Sequence, residues 1–262
     1  MKTCSGLAAL LRKELTIYFT GPIFYITGFF FLLLAGYFFY TNTLYYGIIS
    51  LQAAQQASNP QVAAQLNPQM MIYRPLFAVL AIILLFLVPL LTMRLLAEEK
   101  RSGTAELLFT YPLTDWSIIL GKFGAALLVY LIFLAFTVCY SVAFGFMTRL
   151  DWGALGAGYL GLLLLGAAFL ALGLFASSLT ENQIVAGVVA FALLLLFWII
   201  GWVQQLGASA MGQVMQYLSL MDHYENFTKG VINTRDLVYC GSFIFFFLFL
   251  TKRQLESRRW RA

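Results

Sequence analysis

The stretch PLFAVLAIILLFLVPLLTMRLL, Pro75 to Leu96, followed at once by AEEKR, Ala97 to Arg101, decides the fold. An apolar run of about 20 residues is the length that carries a helix across a hydrocarbon layer of ~30 Å. The charged residues behind it mark the return to water. Five further apolar runs, at 22–41, 117–147, 154–178, 184–203 and 237–251, repeat the pattern. With 61% hydrophobic and 10% charged residues, the chain has too little polar surface to enclose a soluble core. The expected fold is an all-α integral membrane protein, residues 1–262 forming a single transmembrane domain of six transmembrane helices. Six spans and their connections use up the length, leaving no room in it for an appended soluble domain.

Basic residues orient the spans. With both termini inside, Lys2, Arg12, Lys13, Arg94, Lys100, Arg101, Lys122, Lys252, Arg253, Arg258, Arg259 and Arg261 are cytoplasmic, and only Arg74, Arg149, Lys229 and Arg235 lie outside. The stretch Thr41 to Tyr73 carries no charge to resist translocation. The net charge of +5 then follows from topology and contact with anionic lipid, and no nucleic-acid partner is expected. Met1 to Ile17 lacks an uninterrupted apolar core and a cleavage site, so it is expected to stay attached. The last run, 237–251, covers only about 22 Å as a helix, which requires snorkelling by Arg235 and Lys252 or local thinning of the bilayer.

The connections are unequal. Asn42 to Arg74, rich in Gln, Ala and Asn, has room for a small helix, and Thr148 to Gly153 is a short turn. The outer-face segment 204–236 is too long for a turn and too broken for a span, which suits short helices dipping into the outer leaflet. On the fourth run Ala157 and Gly161, Ala167 and Ala171, and Gly173 and Ser177 stand four apart, a spacing that allows close helix packing. No Asp, Glu, His, Lys or Arg falls near the middle of a span, which disfavours an ion-coupled carrier. The absence of a G-x-x-x-x-G-K-[ST] run leaves any nucleotide chemistry to another chain.

The cytoplasmic segment 97–116 reads as a helix end, a bend and a short helix. Gly103 suits the break, Thr104 an N-cap, Glu106 the positive end of the new helix, and Pro112 its stop. Leu107, Leu108 and Phe109 then form an apolar face that needs a membrane surface or a protein groove to cover it. Leu7 to Phe19 is a second amphipathic stretch, expected along the inner leaflet.

Two motifs carry a resemblance. Arg12-Lys13-Glu14-Leu15 before the first span, and Arg94 through Glu98-Glu99-Lys100-Arg101-Ser102-Gly103-Thr104-Ala105-Glu106-Leu107-Leu108 to Gly121-Lys122, resemble the permease subunit of type-2 ABC exporters over essentially the whole chain. Ser219 to Phe227 and Gly230 to Tyr239 place the nearest likeness among gliding-motility-associated permeases. The resemblance implies an amphipathic N-terminal interfacial helix and a cytoplasmic coupling helix between spans 2 and 3. It also implies separate ABC ATPase subunits that bind ATP and Mg, a second permease copy or paralogue, and an inner (plasma) membrane location. Carried over by position, the coupling residues are Glu98, Glu99, Gly103, Thr104, Glu106, Leu107 and Leu108, with Gly121 and Lys122 restarting the membrane segment. Cargo would pass between protomers, or the same architecture would drive an envelope machine.

Rival readings are an autonomous carrier or channel, and a membrane-embedded lipid enzyme. His223, the single histidine, stands near Asp222 and Glu225, but no second histidine or nearby cysteine completes a metal set, so the group reads as an outer-face structural cluster. Cys4, Cys139 and Cys240 are too scattered for a disulfide framework. Aromatic residues along the first span, Phe29 to Tyr40, suit lipid contact and packing as well as a lipid-like path.

Overall fold

Small residues decide which helix takes the centre. In the computed structural model, residues 2–55, 67–103, 114–148, 150–203 and 217–259 are described, with side chains for 6–55, 67–103, 114–148, 150–200 and 217–257. Every regular element among them is helical. In chain order these are α1 (Lys2–Thr20), α2 (Pro22–Gln55), a π-helical turn (Gln69–Tyr73) leading into α3 (Arg74–Thr92), α4 (Ala97–Arg101), α5 (Asp115–Gly145), α6 (Trp152–Leu179), α7 (Gln183–Val203), α8 (Leu220–Thr228) and α9 (Thr234–Arg259). Six are long and apolar enough to cross a membrane: α2, the run Gln69–Arg101 that holds α3 and α4, α5, α6, α7 and α9.

Helix α6 packs against α3, α5, α7, α8 and α9. Buried residues make up 78% of its most apolar stretch, against 22% in α2 and 17% in α7, so α6 is the core and those two are the periphery. Such a position requires small side chains. A Cβ on Gly166 would stand 2.3 Å from the Tyr130 ring, and one on Gly173 would stand 2.3 Å from the Thr92 hydroxyl. Ala157, Ala167, Ala171 and Ser177 are likewise buried within the chain, so the small residues of this helix serve its own packing. The Tyr130 hydroxyl donates to the Leu162 carbonyl at 2.7 Å, which satisfies a polar group in the dry interior.

Side-chain caps set three helix starts. Thr114 Oγ1 accepts from the Ser117 amide, the Asp151 carboxylate accepts from the Gly153 and Ala154 amides, and Ser219 Oγ accepts from the Asp222 amide. Accordingly α5 and α6 begin two residues before the apolar runs that announce them.

Two helices outrun their apolar segments. Helix α2 continues from the expected end near residue 41 to Gln55, because no proline interrupts the polar residues that follow and Asn42 is held by a hydrogen bond to the Ile72 carbonyl at 3.2 Å. Helix α9 covers 26 residues, about 39 Å of rise, where 237–251 alone would fall short of a bilayer. Asp236 opens its first turn, and Lys252 and Arg253 pair with Glu256 at 3.0 and 3.2 Å to carry the helix past the apolar run. Within the outer-face segment, α8 docks on α6 through buried Leu220, Tyr224 and Phe227, while residues 204–216 lie outside the described residues.

Candidate functional site

Helix α1 has an apolar stripe, Leu7, Leu10, Leu11, Leu15 and Tyr18, and Glu14 lies in the middle of it. A carboxylate there has to find a cation. The stripe packs on α5, where a Cβ on Gly121 would stand only 2.7 Å from the Leu10 side chain, so glycine is what allows the close approach. One residue on, Lys122 is 1% exposed, and its ammonium donates to Glu14 at 2.8 Å and to Glu99 at 2.9 Å. Glu99 also accepts from Lys13 at 3.3 Å. Four residues from three separate parts of the chain thus form one ion network at this end of the bundle. Lys122, read from sequence as the restart of a membrane segment, is its buried centre.

The elbow between α3 and α4 is fixed from two sides. Arg94 makes a two-pronged contact with Glu98, at 2.7 Å from Nε and 3.2 Å from Nη2. Ser177 Oγ on α6 accepts from the amides of Leu96 and Ala97, each at 3.1 Å, and donates to the Met93 carbonyl at 3.2 Å. Lys100 donates to the Ser178 carbonyl. On α1 the Tyr18 hydroxyl donates to the Leu91 carbonyl at 2.7 Å, and burial, aided by the nearby Glu14 charge, raises its pKa far above the ordinary phenol value. Gly103 follows with φ +71°, the left-handed conformation that ends a helical turn and favours glycine.

Of the residues assigned to coupling, Glu98, Glu99 and Gly103 therefore lie on this elbow. Thr104, Glu106, Leu107 and Leu108 fall outside the described residues, as does all of 104–113. Sequence reasoning named Glu14 within a motif and Ser177 as a packing residue but gave neither a part in the site. Glu14 was visible as a charge interrupting an apolar stripe, whereas nothing in the sequence singles out Ser177 from other small residues of α6.

The opposite end carries a second polar cluster. His223 on α8 is buried and bonds Asp236 of α9 at 2.6 Å, while Asn226 donates to the same carboxylate at 2.9 Å. The Tyr239 ring stacks on the imidazole at 4.1 Å. His223 is thus hydrogen-bonded to Asp236, and not to Asp222 or Glu225. Glu225 pairs with Lys229 and with Arg74 of α3, and these contacts, the Lys229 hydrogen bond foremost, lower its pKa. Asp222 is shifted upward by partial burial and by the neighbouring Glu225 charge. Among the described residues no group of three or more His, Cys, Asp or Glu side chains gathers as a metal site. The arrangement clamps α8 to α9 and α3.

Fold and site together define an α-helical membrane protein with six candidate spans, one of its ends bound by an ion network joining α1, the elbow and α5. Residues 8–251 match the family model described as ABC-2 family transporter protein, and the chain belongs to that family. It is accordingly a membrane permease subunit of an ABC transporter. A comparison with curated proteins found no match.

Proposed function

We propose that this permease works in an exporter powered by separate ATPase chains, which hold ATP and Mg and press on the segment that follows Gly103. The observation that carries this reading is the elbow's attachment. Through Glu99 it is tied to α1 and α5, and through Ser177 and Ser178 to the central α6. A push that reaches the elbow is passed on to three helices through these contacts.

In this reading both termini are cytoplasmic, the membrane is the inner one, and the permease pairs with a second copy or a paralogue. The resemblance of Ser219–Phe227 and Gly230–Tyr239 to gliding-motility-associated permeases, read from the residues alone, keeps an envelope machine as an alternative load within the same scheme. The test is affinity purification from the native membrane. An ATPase chain bearing a phosphate-binding loop should co-purify, and Leu107→Asp or Leu108→Asp should abolish its capture while membrane insertion persists. Solute movement by the purified chain alone, or undiminished capture by both variants, overturns the proposal.

A further inference from the structure

Between α1 and the elbow lies a cavity of about 360 Å3, a size typical of small-molecule sites. Its wall is amphipathic. One part is made by Lys13, Arg94 and Lys122 together with Glu14, Glu98 and Glu99, three cations against three carboxylates. The other part is apolar, including Ile17, Phe24 and Leu90. Ile17 is 41% exposed and Leu90 45% exposed, so the apolar part forms a rim that opens outward at a membrane-spanning helix. Water-filled clefts have little use for such a rim, whereas acyl chains do.

Unused hydrogen-bonding capacity remains at the charged part. The contacts of Arg94 with Glu98 engage Nε and Nη2, and Nη1 lies beside Gly21, 3.6 Å from where a Cβ would stand. Lys13 is half exposed and, among the described residues, makes a single ion pair, with Glu99. Glu98 is 42% exposed at its side chain, and each of its oxygens accepts one bond, leaving lone pairs available. Donors for an anion and acceptors for a cation therefore face one space whose wall has no net charge.

We infer that this cavity holds the headgroup of a zwitterionic aminophospholipid, its phosphate on Arg94 Nη1 and Lys13, its ammonium on Glu98, and its chains leaving past Ile17 and Leu90. Balanced charge is what selects the ligand. An anionic glycerol headgroup would bring its phosphate among three carboxylates with no ammonium to answer them, and a choline headgroup has no N–H to donate to Glu98. A lipid held there lies against both α1 and the elbow.

The test uses the full chain purified in detergent, stripped of lipid and titrated with phosphatidylethanolamine, phosphatidylcholine or phosphatidylglycerol, with bound lipid counted by native mass spectrometry. Phosphatidylethanolamine should bind about tenfold more tightly than either of the others, the scale of one charge-assisted hydrogen bond. Gly21→Leu, which fills the space beside Arg94, should weaken binding of all three lipids, and Glu98→Ala, which removes the acceptor for the ammonium, should erase that preference. Lys13→Gln changes a half-exposed side chain at the rim and should weaken phosphatidylethanolamine binding without disturbing the fold, so the test stands even where another variant misfolds. Equal binding of the three lipids, a preference for phosphatidylglycerol, or unchanged binding in Lys13→Gln overturns the inference.

Discussion

Lys122 shows how a residue can be conspicuous in sequence and still be misread. At the head of a span a lysine ordinarily snorkels to water, yet this one is covered by α1 and bonded to two carboxylates. The sequence carries the answer in two places, a glycine beside the lysine and a glutamate on the apolar stripe of α1, but only the fold brings them together. Removing the cation leaves Glu14 buried beside Glu99 with nothing to neutralise it. Lys122→Met should therefore lower stability by about 3–5 kcal/mol, the usual cost of stranding a buried charge. The double variant Lys122→Met with Glu14→Gln should recover much of that loss, because Glu99 still has Lys13. Thermal unfolding of the detergent-purified variants measures both. A single variant that unfolds with the parent would mean that the network contributes nothing.

Among elements, the six spans were legible because a bilayer demands about 20 apolar residues in a row, and few soluble patterns imitate that. Their ends were not. Helix α9 persists through Lys252 to Arg259 because charged side chains four apart support a helix as well as apolar ones do, and α2 persists because nothing breaks it. The elbow was half legible: Gly103 announced the break, but the hold on Met93, Leu96 and Ala97 depends on Ser177, some 80 residues away in the chain. Ser177→Ala strips two amides and a carbonyl of their shared partner in a buried place, which costs roughly 1–3 kcal/mol for each group left unsatisfied. Hydrogen exchange at 94–101 should accelerate in this variant while α6 itself stays protected. Uniform exchange across both helices, equal to the parent, would show that the serine does not hold the elbow.

For the molecule as a whole, burial and charge are distributed along different axes. Burial decreases outward from α6 to α2 and α7, whose apolar faces, among them Tyr25, Phe29, Leu33, Val188 and Leu196, are exposed in the single chain. Basic residues gather at one end: the end built on α1 and the elbow holds Arg12, Lys13, Arg94, Lys100 and Arg101, whereas the described residues of the far end hold Arg74, Lys229 and Arg235, and α2 carries no charge between Thr41 and Gln55. A helical bundle of this shape could enter the bilayer either way up, and the basic end is what should keep it facing the cytoplasm. Leu51 near the end of α2 and Arg101 at the end of α4 are both exposed, and the antiparallel path through α3 puts them at opposite ends. With Cys4, Cys139 and Cys240 replaced by serine, a membrane-impermeant maleimide applied to spheroplasts should label Leu51→Cys and spare Arg101→Cys until the membrane is opened. The reverse pattern would invert the orientation, put the elbow on the side without ATP, and remove the physical basis for coupling through it.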